Sequence, residues 1–213
     1  MTDGMGLRER KKRQTAQLIS DVASALFIQR GFDNVTVAEI AEATGVSTKT
    51  VFNYFPRKED LFLDRFPEAV DLMTKAVLER PEGEEPEAAL RRLFLGLLER
   101  RHPLAGVGPG YERFWRVVAE SPALRARARE LAEETEDVLA GLFAEAWGAA
   151  AADPLPRMAA ALVAAAYRTV YLTGLRRLLA GDSVETVLSD HVALLNHAFD
   201  AVDQALASLR NAT

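Results

Sequence analysis

The sequence predicts an all-α protein of about nine helices. Alanine, leucine, glutamate and arginine dominate, and β-branched residues never alternate with polar ones over the length of a strand. Glycine and proline separate segments of helical length, most clearly in the stretch RPEGEEPE at 80–87. The 213 residues are 49% hydrophobic and 27% charged, which is the composition of a folded globular protein.

Local signals set the helix boundaries. The first helix is expected to end at Gly31, because glycine commonly terminates helices. Thr36 and Glu39 match a capping box, which opens a helix of about two turns that ends near Gly45. Ser47 is expected to cap the third helix. The helices are predicted over about 8–30, 36–45, 47–55, 58–79, 87–101, 110–120, 122–149, 155–180 and 183–210.

The charge distribution divides the chain. Residues 1–60 carry nine basic and eight acidic side chains, a net charge of +1, and the remainder carries 17 basic and 23 acidic side chains, a net charge of −6. Five of the early cations lie between Arg8 and Arg13. The difference in net charge indicates that the two parts of the chain have different functions. We expect a first domain over 1–66 and a second over 67–213.

Several classes of site are excluded or disfavoured by composition. The chain has no cysteine, so it forms no disulfide, thiolate metal site or thiol nucleophile. His102, His191 and His197 have no partners at metal-ligand spacing, and we expect no metal and no cofactor. No uninterrupted apolar run approaches the roughly 18 residues of a membrane span, and the basic N-terminus lacks the apolar stretch of a signal peptide. A cytoplasmic protein without a membrane partner is expected.

Residues 37–55, VAEIAEATGVSTKTVFNYF, match the pattern of a helix-turn-helix. Each helix is shorter than three turns and would be marginal alone, so the two must pack on each other. The small side chain of Ala41 allows a close crossing, Gly45 accepts the left-handed backbone of a tight turn, and Val51 fills the crossing. In this motif the second helix enters the major groove of DNA.

Hydrogen-bond donors cover the polar side of that second helix, as a helix in the major groove requires. Lysine can donate to guanine, and threonine can bond a base edge or touch a thymine methyl group. Free amides at helix starts favour phosphate, and a cationic helix end can lie over the DNA backbone or enter the minor groove. The candidate DNA-binding residues are Thr36, Ser47, Thr48, Lys49, Thr50, Asn53, Tyr54 and Lys58, with Arg10 and Arg13 in the first helix.

The stretch TVAEIAEATGVSTKTVFNYFPRKEDLF resembles the DNA-binding domain of the tetracycline-repressor (TetR) family. The pattern is T-x-x-x-I-A-x-x-x-G-V-S, then T-x-(Tyr/Phe)-x-Tyr-Phe, then a lysine, an acid and a leucine, and the resemblance covers about 8–66. Phe52 stands where tyrosine is more usual, and Asn53 occupies a variable position, so the operator sequence stays open. The resemblance implies a homodimer with an N-terminal DNA reader and a larger ligand-sensing, dimerising domain. Members are usually repressors that leave DNA when a small molecule binds.

The last helix carries an apolar stripe at alternating steps of four and three, wider than one neighbouring helix needs. The helix before it is rich in alanine, which permits close approach. We expect helices 155–180 and 183–210 to form a four-helix bundle with a second copy. The alternative is a helix pair buried within one chain. The candidate interface residues are Leu188, His191, Leu195, Phe199 and Val202.

Aromatic residues of the second domain are candidates for a ligand pocket between helices. The alternative is that they pack in the core, as aromatic residues at helical spacing usually do. The candidates are Phe94, Tyr111, Trp115, Phe143, Trp147, Tyr167 and Tyr171.

Three classes of function remain after this reading. The favoured one is a dimeric regulator, most simply a repressor, that binds a pseudo-palindromic operator on double-stranded DNA and responds to a small, hydrophobic effector. The second is a helical enzyme acting on a small hydrophobic substrate. No nucleophile elbow, metal motif or phosphate loop supports it, so no enzymatic activity is expected. The third is an interaction protein that has lost DNA binding.

Overall fold

The computed structural model describes residues 6–108 and 110–211. All regular structure within these residues is helical, as predicted, and consists of nine α-helices and two short 3₁₀ turns, Glu59–Leu61 and Pro103–Ala105. The α-helices are α1 (Leu7–Arg30), α2 (Val37–Thr44), α3 (Thr48–Tyr54), α4 (Phe66–Leu78), α5 (Pro86–Glu99), α6 (Tyr111–Glu120), α7 (Pro122–Trp147), α8 (Leu155–Leu179) and α9 (Val184–Asn211).

The chain folds into two compact units. The first contains the residues up to Asp64 and also Arg116–Arg127, and the second contains Arg65–Trp115 and the residues from Ala128 onward. The division predicted after residue 66 gave the first domain a single segment. It did not anticipate the second segment, which is the end of α6 and the start of α7.

Polar contacts hold this second segment within the first unit. Arg127 Nε lies 2.8 Å from Asp60 Oδ1, and the two side chains are only 12% and 20% exposed. The hydroxyl of Ser121 donates to Asp33 Oδ1 at 3.3 Å. The α6–α7 corner is therefore an integral part of the first unit.

Phenylalanine rings form the centre of the first unit. Phe27 of α1 contacts Phe32 at 4.8 Å between ring centroids and meets Phe62 edge-on at 5.6 Å. Fully buried aliphatic residues come from four elements of this unit, namely Ile19, Ile40, Val51 and Leu61. Helix α1 packs on α2 and on the first 3₁₀ turn, and α2 packs on α3, so these elements form one body.

The helix predicted over 58–79 is wrong over its first eight residues, 58–65. A 3₁₀ turn, Glu59–Leu61, follows α3, and α4 begins only at Phe66 with Pro67 in its first turn. Proline at 67 has no N–H to donate to the carbonyl of residue 63, and its ring clashes with that carbonyl. A helix can start at this proline but cannot run through it.

The second unit has a core built from α4, α5, α7, α8 and α9. Leu90, Phe143, Val163, Leu195 and Phe199 are fully buried in it. Within the described part of the chain, a single helix, α8, is both long enough and apolar enough to cross a membrane. One such helix is weak evidence for a membrane span. Only 33% of its most apolar window is buried.

Candidate nucleic-acid interface

The start of α2 is held by the predicted capping box. The hydroxyl oxygen of Thr36 accepts from the amide of Glu39 at 3.2 Å, and Glu39 Oε2 accepts from the amide of Thr36 at 2.8 Å. Arg30 adds an ion pair to Glu39 Oε1 at 2.7 Å. These contacts, led by the Thr36 amide, lower the pKa of Glu39 to about 2. Thr36 itself is exposed at the end of α2.

The turn between α2 and α3 follows the sequence prediction. Gly45 has φ +68° and ψ +24°, the left-handed conformation that glycine adopts without strain. The hydroxyl of Ser47 accepts from the amide of Thr50 at 3.0 Å and so caps α3. Ala41 and Val51 are buried where the two helices pack. The geometry is that of a helix-turn-helix, with α3 as the second helix.

The outward face of α3 consists of Thr48, Lys49, Phe52 and Asn53, which are all exposed. At about 100° per residue these four positions span an arc of about 140°, and Val51 points the opposite way into the core. This face presents a hydroxyl, an ammonium and an amide, which are suited to base edges or phosphate. Lys49 projects from the middle of the arc.

Phe52 was not among the predicted DNA-binding residues. Its side chain is 49% exposed and belongs to the outward face of α3. Its helical angle, between those of Thr48 and Lys49, is the signal that could have identified it from sequence. The residues predicted for this face were hydrogen-bond donors, and a phenyl ring has none.

Three predicted residues lie partly away from the outward face. The hydroxyl of Thr50 lies 2.8 Å from the hydroxyl of Ser47, so these two groups bond to each other. Thr50 and Tyr54 are both half-buried. Ser47 and Thr50 therefore have a clear role in capping α3, and their contact with DNA stays a prediction.

Lys58 has a structural role that the sequence did not reveal. Its ammonium donates to the carbonyl oxygen of Phe32 at 2.6 Å and lies 4.2 Å from the centre of the Phe32 ring. Burial lowers its pKa, against the opposing effect of Asp33 and other acids. The side chain ties the 3₁₀ turn to the α1–α2 loop. One of the three ammonium donors of Lys58 is thus engaged within the protein, and its contact with phosphate stays a prediction.

Basic side chains line the exposed beginning of α1. Arg10 and Arg13, the predicted backbone or minor-groove contacts, are exposed, as are Arg8, Lys11 and Lys12. Five cations within six residues create a strongly positive helix end, which attracts polyanions irrespective of base sequence.

The predicted pocket aromatics of the second unit separate into two groups. One is a continuous series in which Trp115 contacts Tyr171 at 5.4 Å, Tyr171 contacts Tyr167 at 5.9 Å, and Tyr167 stacks on Phe94 at 3.9 Å. Burial raises the pKa of Tyr171 well above its usual value, and Tyr111 lies near enough to add to that effect. A side-chain hydrogen bond from Trp115 opposes this rise in the pKa of Tyr171.

Phe143 and Trp147 form the other group and do not join the tyrosines through ring contacts. Their rings pair at 4.9 Å, and Phe143 is fully buried in the core. The guanidinium of Arg210 lies 5.1 Å from the Trp147 ring, and the indole N–H donates to Glu85 at 3.4 Å. These contacts give both residues a packing role, which corrects the prediction that they line the same pocket.

The residues predicted to face a second copy lie in the core of the chain itself. Leu195 and Phe199 are fully buried, and His191 and Val202 are each 4% exposed. Leu188 is half-buried against the same core. A helical stripe shows that a face is buried but does not show by what, and here α5 and α8 pack against α9. His191, Leu195, Phe199 and Val202 are therefore core residues of one chain, which corrects their assignment to the interface, and an interface role for the half-buried Leu188 stays a prediction.

Comparison with known proteins identifies the class. Residues 19–64 match the profile of bacterial regulatory proteins of the tetR family, and residues 69–207, more than half of the chain, match the MftR C-terminal domain. The chain is 36% identical over 173 residues to the HTH-type transcriptional regulator TcmR of Streptomyces glaucescens, covering 79% of this chain and 76% of TcmR. This chain belongs to the TetR family. It is a DNA-binding transcriptional regulator, as its sequence predicts.

Solved structures of other proteins have the same fold. NalD, the secondary repressor of the MexAB-OprM multidrug efflux pump in Pseudomonas aeruginosa, superposes with a TM-score of 0.56 at 20% identity, over 88% of this chain and 96% of NalD. SmeT in its complex with triclosan also has a TM-score of 0.56, at 16% identity, over 88% of this chain and 91% of SmeT. At these identities the likeness concerns the fold alone.

Proposed function

We propose that this TetR-family regulator is a cytoplasmic homodimeric repressor that binds a pseudo-palindromic operator and is released by a small, hydrophobic effector. The observation that carries the proposal is the outward face of α3, where an ammonium, an amide and a hydroxyl stand exposed around Lys49 while Val51 anchors the helix from behind. Two such heads related by a two-fold axis read two half-sites about one helical turn apart, or a multiple of it.

The proposed contacts follow from position. Thr48, Lys49 and Asn53 meet base edges in the major groove, Thr36 lies against phosphate at the start of α2, and Arg10 and Arg13 belong to the basic end of α1. Thr50 and Tyr54 contribute from the edges of α3.

A different stripe from the predicted one supports dimerisation. Along α8 a row of residues recurs at alternating steps of four and three, and each is exposed or half-buried in the single chain. Met158 is 42% exposed and Leu179 is 37% exposed. Such a spacing is the seam of a helical bundle, and a largely apolar row exposed over about 30 Å calls for a partner. The row is Met158, Leu162, Ala165, Thr169, Leu172, Arg176 and Leu179.

The aromatic series of the second unit supports effector binding. Phe94, Tyr167, Tyr171 and Trp115 provide apolar ring faces, and the Tyr171 hydroxyl and the Trp115 indole N–H, which interact with each other, place polar groups among them. Tyr111 lies at its edge. The triclosan complex of SmeT and the repressor role of NalD, both TetR-family folds, are consistent with a small apolar effector and with repression.

Helix α6 gives the proposed effector a route to DNA. Trp115 is the last residue that α6 contributes to the second unit, and the next residue, Arg116, belongs to the first. A ligand that binds more tightly to one conformation of the dimer shifts the equilibrium towards the spacing of the two DNA-reading heads in that conformation. The change in free energy between the two conformations cannot exceed the difference in the ligand's binding free energy for them.

Selection of genomic fragments bound by the purified protein, at near-physiological salt, tests the proposal. The expected product is one or a few fragments that share an inverted repeat, bound with two protomers per site. Sequence-blind binding that falls steeply with salt would contradict specific regulation, and a protein bound as a monomer would contradict the two-fold arrangement.

A further inference from the structure

Phe52 is the aromatic residue of the first unit that the fold leaves uncovered. Phe27, Phe32 and Phe62 are at most 4% exposed, whereas Phe52 is 49% exposed. The packing of α3 against α2 uses Val51, which is fully buried, whereas the neighbouring Phe52 leaves much of its ring open to solvent. The exposed part of the ring adds nothing to the core and is available to a partner.

The neighbours of Phe52 on the helix surface are all polar. At about 100° per residue its ring lies between Thr48 and Lys49, with Asn53 beyond, in the middle of the outward face of α3. These three side chains can donate hydrogen bonds to base edges, but a phenyl ring can only bury apolar surface. The apolar group that base pairs present in the major groove is the 5-methyl group of thymine.

We propose that Phe52 is a specificity-determining residue that packs against a thymine 5-methyl group in each half-site. This inference rests on the proposed binding of the outward face of α3 in the major groove. Lys49 and Phe52 are three residues apart and separated by about 4.5 Å along the helix axis. The thymine is therefore within about two base pairs of the base that Lys49 contacts.

The test removes the methyl group and the ring separately and together. In the operator obtained by fragment selection, each thymidine is replaced in turn by deoxyuridine, symmetrically in both half-sites, which deletes the 5-methyl group and leaves base pairing intact. The dissociation constant of every duplex is measured for the full-length dimer of the wild type, of Phe52→Ala and of Phe52→Tyr. Thr48→Ala is the matched control, because it deletes an exposed side chain one turn away. Because Phe52 is exposed, its variants are expected to keep the melting temperature of the wild type, which is measured in parallel.

One deoxyuridine position is expected to weaken wild-type binding about fourfold in each half-site, the contribution of one buried methyl group. Phe52→Ala is expected to be insensitive to that position, whereas Phe52→Tyr and Thr48→Ala retain the sensitivity. A flat deoxyuridine series with the wild type would overturn the inference, and so would an equal loss in Phe52→Ala, which would assign the methyl contact to another residue. In both cases operator binding itself persists, so the proposed function stands. Absence of any selected operator would instead refute the proposed function.

Discussion

The ammonium of Lys58 donates to the carbonyl oxygen of Phe32 at 2.6 Å and lies 4.2 Å from the centre of the Phe32 ring. One side chain thus joins the segment that follows α3 to the loop that precedes α2. The tie therefore links the two ends of the helix-turn-helix.

Removing this ammonium is expected to destabilise the first unit. Lys58→Met keeps the apolar stem but loses a charged hydrogen bond and a cation–π contact, and we expect the free energy of unfolding to fall by about 1–2 kcal/mol. Lys49→Met is the matched control, since Lys49 is exposed on α3, and it should leave thermal stability unchanged. Chemical denaturation of both variants measures the difference. A different result would indicate that Lys58 contacts phosphate. In that case Lys58→Met would keep the stability of the wild type, and the slope of log affinity for DNA against log salt concentration would fall by about one.

Ala165 is exposed at the centre of the α8 stripe, and a charge there should cost little in an isolated chain. In a bundle of two copies the symmetric pair of carboxylates would be buried without partners. Ala165→Glu is therefore expected to weaken the dimer at least about a hundredfold, as seen by sedimentation equilibrium. Ala25→Glu, on the exposed side of α1, should remain dimeric. If Ala165→Glu forms a dimer as stable as that of the wild type, α8 does not lie in the dimer interface.

Gly106 packs against Tyr171 with no room for a side chain. A Cβ atom there would lie 2.3 Å from the tyrosine ring, and the backbone has φ +70°. Gly83 has a similar φ of +80° but open space around it, so Gly83→Ala isolates the cost of the left-handed backbone, about 1 kcal/mol. Gly106→Ala should cost about 1–3 kcal/mol more, because the aromatic series must move. Equal losses of unfolding free energy in the two variants would show that the Tyr171 side chain moves away at no energetic cost.

Burial of His191 is expected to make the second unit sensitive to acid. It is 4% exposed, and burial lowers its pKa from 6.5 to about 4. Between these values the unfolded chain binds more protons, so stability is complete above about pH 6.5 and is lost as pH falls towards about 4. The loss by pH 5 is expected to be about 2 kcal/mol.

Unfolding measured between pH 7 and pH 5 tests this expectation. His191→Asn should be less stable throughout but should lack most of the decline, and His197→Gln, on the exposed side of the same helix, should decline like the wild type. The same slope in His191→Asn would assign the acid sensitivity to other groups.

Sequence predicted the features that depend on local chemistry. The Thr36–Glu39 capping box, the left-handed Gly45 and the Ser47 cap are set by residues within four positions of one another, and the structure confirms all three. The α4 boundary was also a local matter, and Pro67 was the signal that should have set it.

Features that depend on which surfaces meet were not predictable in the same way. The stripe through Leu195 and Phe199 correctly indicated a buried face, but spacing along one helix cannot distinguish burial by the same chain from burial by a second copy. The hydrogen bond from Lys58 to the carbonyl of Phe32 joins residues 26 positions apart, and no local sequence pattern predicts it.

The most direct test of the central claim is the affinity of the wild type and of Lys49→Ala for the selected palindrome and for a scrambled duplex of the same composition, at one fixed salt concentration. If the outward face of α3 reads the operator, the wild type should prefer the palindrome at least about a thousandfold. Lys49→Ala should reduce the affinity for the palindrome about tenfold or more, and should reduce the affinity for the scrambled duplex much less. Equal affinities of the two proteins for both duplexes would show that this face of α3 does not read DNA.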